Sequence, residues 1–309
     1  TPRSSSAASD VYKRQILYGF EIKDHQNDIF TIDFTPFLLE DRHGVAERLR
    51  RTGQGNYSVN KSSSAIELSN TKGFPNNIEF ESLLTFSGKS EGKLIQSVAP
   101  DSNNVTVIQH HSFVKLPDDN YKPRSFDPRS GAISVSYMDY SSPIDEKILK
   151  KNIIRHRLEK KFPENEKSEA IRPIVYYLDP GTPEPIRSAL IDGAMWWNEA
   201  FESIGFIDAF QVKILPENAD PMDCRYNVIQ WVHRSTRGWS YGSNVSDPRT
   251  GEIIKGHVSL GSLRVRQDYL IAQSLIQNPY LEENKKKVLE MSLARIRQLS
   301  AHEVGHTLG

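Results

Sequence analysis

The hydrophobic period changes once along this chain, and the change divides it. From Ile16 to Tyr140 apolar residues recur at every second position: Phe30, Ile32 and Phe34 alternate with Thr31, Asp33 and Thr35, and Ile133, Val135 and Tyr137 alternate with serines. A period of two belongs to strands with one buried face. Residues 16–142 are therefore expected to form an antiparallel β-rich domain. Ala65 to Leu68, Ile78 to Phe86, Leu94 to Val98 and Val105 to Val114 are further strands, separated by clusters such as Gly73-Phe74-Pro75-Asn76-Asn77.

Beyond Tyr140 the pattern becomes helical and then mixed. Ser142 as a cap, Pro143 at the first helical position and Asp145 three residues after the cap predict a helix ending near Phe162, before Pro163. Its second half carries Arg155, Arg157, Lys160 and Lys161, which read as a solvated basic face, and the polar stretch 164–169 reads as linker, so 143–171 is expected to be helix and linker. Ile174 to Leu178 is a continuous apolar run suited to a strand covered on both faces. A helix capped by Thr182 follows, with Leu190, Ala194, Trp197, Phe201 and Ile204 as its buried stripe and Gly205 as its stop. Phe210 to Ile214 and Val228 to Val232 add strands, the first closing a crossover that makes its neighbours parallel. Asp247-Pro248-Arg249-Thr250-Gly251 is a turn between Trp239 to Val245 and Ile253 to Leu260, and two helices complete the chain, Val265 to Ile276 and about Glu283 to the end. The fold class is α+β and multidomain, with an α/β domain over 172–309.

Composition narrows the partners. Lys plus Arg and Asp plus Glu are 39 each, so no basic excess exists to neutralise a nucleic-acid backbone, and nucleic acid is excluded as a first reading. No apolar run approaches the roughly 20 residues that cross a bilayer, so no integral membrane segment is expected. Cys224 is the single cysteine, which rules out an intrachain disulfide and reads as a buried thiol. Thr1 to Gln15 is Ser-rich with little apolar periodicity and is read as a linker-like or non-native segment outside the fold.

The last eight residues, His302-Glu303-Val304-Gly305-His306-Thr307-Leu308-Gly309, spell HExxH followed by xxG at the end of a periodic helix. Positions i and i+4 of a helix lie one above the other, about 5–6 Å apart at Cβ, so two imidazoles can converge on one Zn²⁺. Glu303 sits about 100° around the helix from His302 and can reach a metal-activated water as general base without being a ligand. The competing reading is a solvated helix end whose histidines favour the C-terminal dipole.

HExxHxxG matches the first eight positions of the metzincin zinc signature HExxHxxGxxH. The chain also resembles large bacterial zinc-dependent metalloproteases in which a β-rich domain of unknown function precedes a metzincin-like catalytic domain. The resemblance rests further on Asp127-Pro128-Arg129-Ser130-Gly131 leading into Ser134-Val135-Ser136-Tyr137, on Arg157-Leu158-Glu159-Lys160-Lys161, on 173–180 (PIVYYLDP) and on 247–252 (DPRTGE). It implies a zinc endopeptidase with His302 and His306 as ligands and Glu303 as base, a peptide or protein substrate, and a secreted or periplasmic location. The third histidine would fall three residues after Gly309, so the chain as written carries two ligands and the base, and is expected to be inactive on its own. Two alternatives stay open: a binding protein with a degenerate zinc site, and another HExxH zinc hydrolase with a distant carboxylate ligand.

In metzincins an edge strand above the active-site helix pairs with extended substrate, and Ile253, Ile254, Lys255, Gly256, His257 and Val258 are the expected counterpart here. His257 and His233 are secondary candidates to line the cleft. His110 and His111 are neighbours in a strand, so they point to opposite faces and do not chelate one ion.

Overall fold

The computed structural model describes residues 16, 18–234 and 239–309. The expected linker-like segment Thr1 to Gln15 lies outside the described residues. The chain is a mixed α+β protein with two compact units, one ending at Lys115 and the other spanning Leu116–Gly309. Residues 116–142, expected in the β-rich domain, thus belong to the second unit.

The first unit is antiparallel as expected, but its opening hairpin, with Phe30 and Ile32, is exposed on both faces. After a hairpin of β1 (Ile22–Gln26) and β2 (Ile29–Ile32) and two short helices, α1 (Thr35–Leu38) and α2 (Val45–Arg51), an antiparallel sheet forms around the long β5 (Asn77–Ser90). β6 (Asn104–Val114) pairs along one side of β5, while β3 (Gly55–Val59) and β4 (Ala65–Gly73) share the other. Tyr57, Leu84 and Phe86 are buried against Val45, Ala46 and Leu49 of α2. The strand expected over Leu94 to Val98 is instead α3 (Lys93–Val98). Its residues do not alternate strictly, Ile95 alone is buried, and the Ile95 amide donates to Gln54 Oε1 at 3.0 Å, which supplies a partner in the helix's first turn.

The second unit opens with β7 (Ser134–Met138) and β8 (Leu149–Ile153), an antiparallel pair. This replaces the helix expected over 143–162. Ser142 and Pro143 serve a turn, in which the Ser142 amide donates to the Asp139 carbonyl and the Glu146 amide to that of Pro143. The basic run after it is extended, and distant acids hold it. Arg157 donates to both carboxylate oxygens of Glu252 at 2.8 Å and to Asp118 at 2.8 and 3.3 Å, over the ring of Tyr121. The Arg157 guanidinium holds the Asp118 carboxyl at about 2. Lys160 Nζ donates to the carbonyls of Asn165 and Glu166, and Lys161 pairs with Glu169. Arg157 is thus a structural clamp rather than part of a solvated face, while Lys161 stays exposed as expected.

The α/β part matches its pattern closely. β9 (Ser168–Glu169), β10 (Ile174–Leu178), α4 (Ile186–Ser203), β11 (Phe206–Ile207), β12 (Phe210–Ile214) and β13 (Asn227–Val232) lead to the hairpin of β14 (Tyr241–Ser246) and β15 (Ile253–Gly261). α5 (Leu263–Leu275) and α6 (Glu282–Thr307) complete the unit. The five-stranded sheet has the order β12-β10-β13-β15-β14, parallel except for β14 at one edge. Between sheet and helices lie Tyr176, Leu178, Leu190, Phe210, Ile229, Val258, Leu260 and Ile296, all at most 1% exposed. Full burial of each large aliphatic side chain contributes about 1.5–3 kcal/mol. Cys224 is buried. Among the described residues no helix is long and apolar enough to cross a membrane.

Candidate metal centre

The end of α6 is fixed from three sides. From α4, Trp197 Nε1 donates to the Ala301 carbonyl at 2.8 Å, and Ser300 Oγ donates to the Leu190 carbonyl at 2.6 Å. Gly305 lets that indole lie against the helix, since a Cβ there would stand 2.6 Å from Trp197 Cζ2. From the sheet, the buried Tyr176 hydroxyl donates to Thr307 Oγ1 at 2.7 Å, and Thr307 Oγ1 in turn donates to the Val304 carbonyl. His156 Nε2 lies 3.4 Å from the same tyrosine oxygen, and burial pushes this imidazole down to about 4. From the hairpin, Gly242 of β14 lies so close to α6 that a Cβ would overlap the Glu303 carbonyl oxygen.

The terminal glycine of HExxHxxG has its own cause. Gly309 is left-handed at φ +90°, and a Cβ would overlap the Ile154 carbonyl oxygen. Its carbonyl accepts from the Ile133 amide at 2.7 Å, while the Ile154 amide donates to the Ile133 carbonyl at 2.8 Å. Conformation and close approach both require glycine there.

On this support His302 and His306 project from one exposed face of the helix with Nε2 atoms 3.0 Å apart and rings nearly perpendicular at 89°. Glu303 is buried beside them at 6% exposure. One ligand atom from each of the three lies within 4.8 Å of the others, the one such grouping of His, Cys, Asp or Glu among the described residues. Tetrahedral zinc with bonds of about 2.0–2.1 Å separates neighbouring ligand nitrogens by about 3.3 Å. The imidazole pair therefore fits a zinc ion with a displacement of a few tenths of an ångström. A cavity of about 330 Å³ adjoins His302 and Glu303, with Arg264, Gln298 and Leu299 in its wall.

Residues 2–161, a little over half of the chain, match the family described as Domain of unknown function (DUF5117). The chain belongs to the DUF5117 family. The DUF5117 match ends well before α6, yet its last part, 116–161, lies in the same compact unit as HExxHxxG and supplies Ile133 and Ile154 to Gly309. No curated protein and no solved structure matches this DUF5117 chain.

The other expected site residues separate from the cluster. Ile253 to Val258 lie on β15, which pairs with β13 on one side and β14 on the other, so this is an interior strand and not the expected edge. The β13 pairing begins at His257, while over 253–256 the register runs to β14, the Ile253 amide donates to the Arg155 carbonyl and the Gly256 amide to Asn227 Oδ1; Ile253, Lys255, Gly256 and Val258 are buried. The edge strand on this side of the sheet is β14, and β12 forms the other edge. Ile253, Ile254, Val258 and Leu260, against the polar sequence Tyr241-Gly242-Ser243-Asn244, are the signal that separates an interior arm from an edge arm. His257 lies on β15, lowered in pKa by burial, and His233 is exposed and bonded to Ser262 Oγ at 2.8 Å; neither joins the metal cluster. His110 and His111 make separate contacts, His110 with Glu79 at 2.7 Å and His111 stacked on His43. Sequence reading missed Arg264, whose visible signal is Asp268 four residues on in a helical segment.

Proposed function

We propose that this protein acts as a zinc-dependent endopeptidase of metzincin-like type, with His302 and His306 holding the ion and Glu303 as general base. The observation that carries the reading is the pair of Nε2 atoms 3.0 Å apart, with a buried carboxylate one residue along the same helix. Bound zinc supplies Lewis acidity, lowering the pKa of water and polarising a peptide carbonyl. Glu303 accepts the proton of the attacking water and returns it to the departing amine.

The substrate strand of this reading is β14 and no longer β15. As the last strand of the sheet it offers backbone groups to an extended peptide, and Gly242 places it against the helix turn that carries Glu303. The resemblance continues to imply an exported bacterial enzyme.

Replacing Glu303 by Gln tests the assignment, because the base is not a ligand. In a chain continued through the third histidine that the resemblance implies, zinc content stays that of the unsubstituted protein, while casein turnover falls by about 10²–10⁴-fold. Undiminished turnover in Glu303→Gln would refute the role.

A further inference from the structure

The cavity beside His302 and Glu303 has a second chemical feature that the metal reading leaves unused. Arg264 and Asp268 are one turn apart on α5, and Arg264 Nε donates to Asp268 Oδ2 at 3.1 Å. The Asp268 side chain is 3% exposed, whereas the guanidinium side chain is 38% exposed. A buried carboxylate thus anchors one edge of a guanidinium that opens onto the cavity. Among the described residues its two Nη groups have no protein partner. Arg295 brings a second guanidinium to the same wall, hydrogen-bonded to the neutral Gln298 amide rather than to an acid. Among the described residues Glu303 is the only carboxylate in that wall.

We propose that this cavity is a subsite for a substrate carboxylate, gripped by the Nη groups of Arg264 and assisted by Arg295. The proposal rests on the peptidase reading for what the ligand is part of. An arginine held by a buried partner loses little side-chain freedom on binding, and its planar fork matches a carboxylate in two parallel hydrogen bonds. A basic residue would meet two guanidinium charges, and an apolar one would leave Nη donors desolvated and unpaired. Because the cavity shares its wall with Glu303, the carboxylate belongs to a residue next to the reacting peptide bond. It is either an Asp or Glu side chain or the terminal carboxylate of the peptide.

Calorimetric titration separates these sources. The protein is kept in a chelator so that no peptide is consumed, and it is titrated with four hexapeptides of one sequence, carrying Glu or Gln at the fourth position and a free or amidated C-terminus. A side-chain source makes the Glu peptide bind about tenfold or more tightly than its Gln partner when both are amidated; a terminal source gives that ratio between free and amidated forms. In Arg264→Gln the ratio falls below about twofold, and in the exposed Arg295→Gln, which leaves the Arg264–Asp268 pair intact, it falls by a smaller factor. Equal or absent binding of all four peptides overturns the proposal, as does a ratio that survives in Arg264→Gln. Peptide hydrolysis is measured separately with zinc present, on a chain continued through the third histidine that the resemblance implies. Loss of hydrolysis beside an intact carboxylate preference rejects the peptidase reading alone, and hydrolysis without any preference rejects the subsite alone.

Discussion

Arg157→Met removes the centre of the clamp that ties three distant segments of the second unit together. The guanidinium donates twice to Glu252 at 2.8 Å and twice to Asp118 at 2.8 and 3.3 Å, while methionine retains most of the apolar stem. Asp118 is 56% exposed and its pair contributes little, because solvent screens it. Glu252 is different: its side chain is 9% exposed against 28% for Arg157, and the variant leaves it buried with no countercharge. Breaking a fully buried pair costs about 3–5 kcal/mol and an exposed one under about 1, so a pair of intermediate depth points to about 2–3 kcal/mol. For a unit of this size that is roughly a 5–10 °C fall in midpoint. Trp196, Trp197, Trp231 and Trp239 are the four tryptophans of the chain and all lie in 116–309, so their fluorescence during urea unfolding reports on this unit. Adding Glu252→Gln to Arg157→Met recovers about half the loss, because the stranded charge is gone. A loss below about 1 kcal/mol, or a double variant no more stable than the single one, would refute the clamp as the source of this stability.

His156 titrates at about 4 in the fold against 6.5 for the free side chain, so the unfolded chain takes up a proton first as the pH falls. Its stabilising share is complete above about pH 6.5, is lost as pH drops towards 4, and shrinks by about 2 kcal/mol by pH 5. His156→Phe removes that slope, so parallel stability profiles of the two proteins between pH 7 and 5 contradict the assignment. Gly242→Ala forces a methyl into the Glu303 carbonyl oxygen and to 3.1 Å from Thr307 Cγ2. It costs about 1–3 kcal/mol and moves the metal-binding turn, so zinc is released to a chromophoric chelator more readily; parent-like stability and retention would show that α6 yields freely there.

Much of the second unit was legible because its elements announce themselves locally. The apolar run 174–178, the stripe through Leu190, Ala194 and Trp197, and the DPRTG turn each fix an element within a few residues of its observed bounds. The segment 143–162 misled because Ser142 and Pro143 carry the same cap signal whether a helix or a turn follows. What decides is pairing with Ser134–Met138 and the capture of Arg157 by Glu252, 95 residues away, which no local window contains. The same limit explains β15. Turn chemistry predicts the hairpin but not which arm meets β13, and that choice moves the free edge to Tyr241–Ser246. At the metal centre the i, i+4 spacing was sufficient for His302 and His306, because a helix converts it into proximity with little outside help. For Arg264 the spacing to Asp268 shows the ion pair but not the site, since its place beside Glu303 depends on how α5 packs on α6.

Metal stoichiometry tests the central claim most directly. The parent protein, taken as a chain continued through the third histidine that the resemblance implies, and its His302→Ala, His306→Ala and Glu303→Gln variants are each titrated with zinc at tens of micromolar, and bound metal is counted after gel filtration. The account predicts one zinc per chain in the parent and in Glu303→Gln, and none above background in either histidine variant, with all four retaining the parent's circular dichroism. Zinc held equally by His302→Ala and His306→Ala, or lost from Glu303→Gln alone, would contradict it.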